Sequence, residues 1–206
     1  MDKVNPAELA TLKAEALEKA AQADLIIFIG GLNKNHKQDC ENGDRENYNL
    51  SFGQNELVAE LAKAKQKTAN MMVITFGGNP YATPWLANVQ ALVHCWYLGS
   101  EAGTALVNVL SGKVCPSGKL PVTFAAKYED YPYVKYGKEA YPGVDKQVYY
   151  KEDIYVGYRG FDKNKTKAQF PFGFGLSYTT FAYAKPVVTV EVDRIIIETT
   201  ITNTGS

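Results

Sequence analysis

The chain has 206 residues, with 22 Lys+Arg against 22 Asp+Glu, a hydrophobic fraction of 46% and a charged fraction of 21%. That composition buries enough apolar surface to offset ordering entropy, which excludes a disordered chain. A formal charge of zero without any Lys/Arg cluster excludes a phosphate-collecting surface, so nucleic acid is not an expected partner.

Asn5 is placed to cap a first helix, with Pro6 in its first turn and Glu8 completing an N-x-x-E pattern. Leu9, Leu12, Ala16, Leu17 and Ala20 mark one face of it at helical spacing. Leu25 to Ile29 is an unbroken apolar run, which predicts a strand covered on both faces. A helix over Gln54 to Ala64 and a second buried strand over Met71 to Phe76 repeat the pattern. A short helix near residues 84–88 and a third strand over Ala91 to Tyr97 follow. Ser100 then opens a helix through Leu110 that stops at Gly112, and Leu120 to Phe124 reads as a fourth strand.

Strands alternating with helices predict the α/β class, a three-layer α/β/α sandwich on a mostly parallel open sheet. Ligands of such folds bind at the loops after the strand C-termini, here those after Ile29, Phe76 and Tyr97. The longest apolar runs fall far short of the ~20 residues that cross a bilayer, so no membrane is expected. The first six residues carry no apolar signal core. From Ala125 onward tyrosines crowd a stretch without regular periodicity, expected to pack a long loop. Residues 186–192 and 195–202 read as two β-strands. Two strands make no stable sheet alone, so the sequence is expected to stop inside an all-β domain.

Residues 30–51 form a connection of about 20 residues without periodicity, and such loops carry function or are solvated insertions. This one holds His36, Asp39, Cys40, Glu41, Asp44, Arg45 and Glu46. No G-x-S-x-G, P-loop or H-E-x-x-H pattern is present. Cys40, Cys95 and Cys115 form no C-x-x-C pair, so neither zinc nor redox chemistry is indicated and no cofactor is expected. Cys95 reads as a core residue and His94 as a core histidine rather than a base. Gly30-Gly31 lacks G-x-G-x-x-G, and a flavodoxin-like nucleotide-binding reading lacks its phosphate cradle.

Several segments resemble the C-terminal part of family 3 glycoside hydrolases, the β-glucosidases and β-xylosidases. Glu41-Asn42-Gly43-Asp44-Arg45, then Leu50 and Gln54-Asn55-Glu56-Leu57-Val58, is similar to the family's E-G-x-D-R…Q-x-x-L-I. Gly78-Asn79-Pro80 with Trp85 resembles its strand-end turn. Trp96 to Gly103 resembles W-x-P-G-x-E-x-G, and Pro116 to Phe124 resembles P-S-G-x-L-P-V-T-F. Ile154 to Arg159 and Phe170 to Phe181 extend the likeness to the C-terminus.

The resemblance implies an α/β sandwich over residues 1–182 and the start of a fibronectin-III-like domain over 183–206. In the family the sandwich packs against an N-terminal (β/α)8 barrel that carries the nucleophilic aspartate, while the acid/base glutamate commonly comes from a sandwich loop. Glu41 matches that acid/base position and Asp39 is its rival. Asp44 and Arg45 are expected to pair and fix the loop. The implied parent is a retaining hydrolase of β-glucosides or β-xylosides with a carbohydrate substrate, and the isolated chain is expected to be inactive. The alternative is a non-catalytic carbohydrate-binding or interaction module on the same fold.

Overall fold

The computed structural model describes residues 5–33, 38–41 and 45–205. They divide into two compact units, 1–102 with 120–173, and 103–119 with 174–206. The first unit opens with α1 (Pro6–Ala20). Asn5 caps it as the sequence predicts, its side-chain oxygen accepting from the Ala7 N–H at 3.0 Å. Strand β1 (Leu25–Gly31), helix α2 (Gln54–Ala64), strand β2 (Asn70–Phe76) and strand β3 (Ala91–His94) complete the α/β framework. The sheet order is β1-β2-β3 and both pairings are parallel. All three strands therefore end at the same edge, and the loops after them converge there.

The register explains the core. Ile26 lies opposite Met71 and Phe28 opposite Val73, so these side chains share one face. That face packs with Ala16, Leu17 and Ala20 of α1 and Val58 and Leu61 of α2 in one apolar cluster. At about 25 cal/mol per Å2 this burial is the main term holding the unit together. A Lys13–Glu60 ion pair at 2.6 Å joins the two helices at their half-exposed rim.

Three details differ from the sequence reading. In β1 only alternate residues are covered, and Leu25, Ile27 and Ile29 are 53%, 45% and 62% exposed. β1 is an outer strand of the sheet, whereas Met71, Val73 and Ile74 of the central strand are fully buried. Strand β3 stops at His94 rather than Tyr97 because Trp96 takes a left-handed backbone, φ 52°, which leaves the strand direction. Residues 120–124 form no strand. Phe124 makes a single antiparallel bridge to Phe170, and Pro121 lacks the N–H that a longer ladder would need.

The tyrosine-rich stretch of the same unit is folded into two 3₁₀ turns, Tyr128–Asp130 and Val134–Glu139, and α4 (Tyr158–Asn164). In the second unit, α3 (Ala102–Leu110, its first residue belonging to the first unit) closes with the Gly112 N–H bonded to the Val109 carbonyl at 3.0 Å. Strand β4 (Phe181–Tyr183) pairs antiparallel with β7 (Ile201–Asn203), and β5 (Val187–Val190) with β6 (Ile195–Glu198). Among the described residues no helix is long and apolar enough to cross a membrane.

Candidate active-site loop

The connection between β1 and α2 is closed at its base by one side chain. Gln54 Oε1 accepts from the Gly31 N–H and its Nε2 donates to the Gly31 carbonyl, both at 2.8 Å, and to the Ser51 carbonyl at 2.9 Å. Gly31 is obligatory there. Its φ is +128°, and a Cβ would overlap the Phe76 carbonyl oxygen. Deeper in, Trp85 Nε1 donates to Asn55 Oδ1 at 2.8 Å and the Asn55 amide donates to Asn49 Oδ1 at 3.2 Å. Thus Gln54 and Asn55, adjacent in sequence, hold the two sides of the loop.

Farther along, the loop is pinned to the other strand ends. Asp39 accepts from the Gly78 N–H, from the Asn79 side-chain amide and from the Tyr97 hydroxyl, the last at 2.5 Å. Gly78 and Asn79 follow β2, and Tyr97 follows β3. Burial and the bond to Asp39 push the Tyr97 phenol up to about 12, so it remains a donor at physiological pH. Arg45 Nη2 donates to the Pro80 carbonyl at 2.6 Å, with its guanidinium 6.0 Å from the centre of the Tyr48 ring. Burial lowers the Arg45 pKa, opposed by the Asp39 charge.

Glu41 lies between these two anchors and is exposed. The structure thus brings Asp39 and Arg45 onto the strand-end turns and leaves Glu41 open to solvent. Asp44, and with it the expected Asp44–Arg45 pair, lies outside the described residues, as does His36. Sequence reasoning missed the role of Asn79 and Tyr97 as partners of Asp39. Both lie in segments that carry the family resemblance and just past two strands of a parallel sheet, but neither signal pairs them with Asp39.

Asp39, Cys40, Arg45 and Asn79 border a cleft of about 1040 Å3 within the first unit, whose far wall is aromatic. Tyr48 there contacts the Ala125 carbonyl at 3.2 Å and the Tyr131 hydroxyl at 3.1 Å, and the Tyr131 hydroxyl donates to the Thr123 carbonyl at 3.2 Å. Burial raises both phenols, Tyr48 well above its ordinary range, so they serve as neutral packing groups. His94 meets Trp96 edge-on, with ring centres 4.4 Å apart, and its Nδ1 lies 3.1 Å from Thr75 Oγ1. Burial pushes its pKa down to about 4, which makes it a neutral core group. Among the described residues no cluster of His, Cys, Asp or Glu could hold a metal ion.

Residues 4–178 match the glycosyl hydrolase family 3 C-terminal domain model. A β-glucosidase of Bacteroides ovatus, BoGH3A, is 47% identical over 199 residues, covering 95% of this chain and 26% of that protein. The crystal structure of a β-glucosidase from Kluyveromyces marxianus in complex with glucose superposes with TM-score 0.86 at 37% identity, over 100% of this chain and 23% of that one. DesR, a β-glucosidase from Streptomyces venezuelae in complex with D-glucose, gives 0.89 at 35% identity, over 98% and 25%. The chain spans about a quarter of these relatives' length. By the extent of the match to the family model, this chain is a member of the glycosyl hydrolase family 3 C-terminal domain family.

Proposed function

We propose that this chain is the acid/base-bearing domain of a retaining β-glycosidase, with Glu41 as the acid/base. Such an enzyme needs two carboxylates about 5–5.5 Å apart, a nucleophile and an acid that later acts as base. One arrangement carries the reading: Glu41 is exposed on a loop anchored on either side by Asp39 and Arg45 to the turns after β2 and β3. The nucleophile then comes from another part of the polypeptide, an N-terminal (β/α)8 barrel in this reading, and the sugar binds where the two meet. That these relatives are named β-glucosidases supports a β-glucoside as the substrate ahead of a β-xyloside.

Residues 183–206 begin a fibronectin-III-like domain in this reading. Supporting it, β5 and β6 form a two-stranded ribbon whose Val188, Val190, Ile195 and Ile197 share one face and are all exposed, an apolar surface that a completed sandwich covers.

The purified 206-residue chain, free of host glycosidase, should show no saturable turnover of aryl β-glucosides or β-xylosides. The full-length polypeptide should hydrolyse them. Turnover by the chain alone would remove the need for a second domain, and an inactive full-length polypeptide would favour a binding module.

A further inference from the structure

We propose that Asp39 is a positioning residue: its carboxylate ties the loop that carries Glu41 to the turns after β2 and β3 and so aims Glu41 at the scissile bond. The inference rests on the acid/base reading of Glu41. Three donors from two separate turns converge on this one carboxylate: the Gly78 N–H, the Asn79 amide and the Tyr97 hydroxyl. Oδ2 takes the Gly78 and Tyr97 donors and Oδ1 takes Asn79, so both oxygens are engaged in holding the loop. An acid/base must instead present a free oxygen to the leaving group.

Asp39 is two residues from Glu41, and an extended chain spans at most about 3.3–3.6 Å per residue. Fixing Asp39 therefore confines the Glu41 backbone to within about 7 Å of the anchor. The anchor itself is crowded. A Cβ on Gly78 would sit 3.1 Å from Asp39 Oδ2 and 3.2 Å from the Tyr97 ring, so a side chain there would push the carboxylate or the ring aside by a few tenths of an ångström. Tyr97 is 57% exposed and its hydroxyl reaches Asp39 from the solvent side, so its phenol can be altered without disturbing the core.

The test is a double-substitution cycle in the full-length polypeptide. Substrates with poor leaving groups, which need the acid, are compared with dinitrophenyl glycosides, which do not. Asp39→Asn keeps the shape but turns an N–H donor toward donors. It should lower kcat on poor leaving groups by about 10–100-fold, the usual effect of misplacing a catalytic group by about 1 Å. Glycosylation by the dinitrophenyl substrate should change by less than about threefold. Tyr97→Phe should act in the same direction, more weakly, and should add little on top of Asp39→Asn.

Because Asp39 acts through Glu41, Asp39→Asn should cost nothing further in a Glu41→Gln background. A merely structural role would lower both substrate classes equally and add fully in that background, which would overturn the inference. So would azide rescue to a β-glycosyl azide in Asp39→Asn with none in Glu41→Gln, since this would make Asp39 itself the acid/base. If Glu41→Gln alone leaves poor-leaving-group substrates unaffected, the acid/base reading fails first. Should Asp39→Asn not fold, the Tyr97→Phe arm decides: an equal effect on both substrate classes contradicts the proposal.

Discussion

Gln54 and Gly31 close a 23-residue span with two reciprocal hydrogen bonds, the side-chain amide of one reading both backbone groups of the other. The arrangement acts as a short extra rung at the end of β1, formed by a side chain where no strand residue is available. It gives the loop a fixed base.

Replacing Gln54 with Leu should therefore be costly although the residue is only partly buried. Two backbone groups of Gly31 and the Ser51 carbonyl lose their partner, at about 1–3 kcal/mol for each one left buried and unsatisfied. A loss of about 2–4 kcal/mol in urea unfolding is expected, with Gln54→Glu between the two because its acceptor survives and its donor does not. An unchanged midpoint for Gln54→Leu would show that water replaces the clamp without loss.

Gly31→Ala should be worse than any conservative change in β1. The backbone there sits at φ +128°, and the added carbon meets the Phe76 carbonyl of the neighbouring strand rather than a yielding side chain. Either the β1–β2 register or the loop base must give way. Loss of cooperative unfolding, or insoluble expression, is the expected result, and a soluble variant with wild-type stability contradicts it.

His94 sets an acid limit. Its folded pKa lies near 4, lowered by burial, against about 6.5 when unfolded, so below pH 6.5 the unfolded state binds a proton that the folded state refuses. Stability then falls as pH drops from about 6.5 toward 4, at up to about 1.4 kcal/mol per pH unit. Between pH 7 and pH 5 the loss should be about 2 kcal/mol in chemical unfolding. His94→Gln should flatten this slope, whatever its effect at neutral pH. An identical slope in the variant would assign the acid sensitivity elsewhere.

Much of the framework was legible because its signals are local. Asn5-Pro6 announces a helix start, and Leu25 to Ile29 and Met71 to Phe76 are continuous apolar runs bounded by polar or glycine positions. The misreadings come from effects that one stretch of chain cannot report. Leu120 to Phe124 has the composition of a strand, but Pro121 withholds a donor and the one β-bridge in the stretch joins Phe124 to Phe170, 46 residues away. Whether β1 is central or outer depends on sheet order, so the exposure of Ile27 could not be read from Ile27. The same holds at the site. Asp39 and Glu41 are two acids in one loop, and what separates them is contact with Gly78, Asn79 and Tyr97, which parallel pairing brings together from 39 to 58 residues away.

The most direct measurement is made on Glu41→Gln in the full-length polypeptide. On the proposed assignment this substitution removes the acid/base and leaves the nucleophile intact, so natural disaccharides with poor leaving groups should lose about 10²–10⁴-fold in rate. A dinitrophenyl glycoside should still form the covalent intermediate quickly, giving an initial burst followed by slow hydrolysis. Azide, which needs no base to attack, should restore turnover and yield a β-glycosyl azide. Near-normal rates on both substrate classes, with no burst and no azide product, would contradict the assignment of Glu41 as the acid/base.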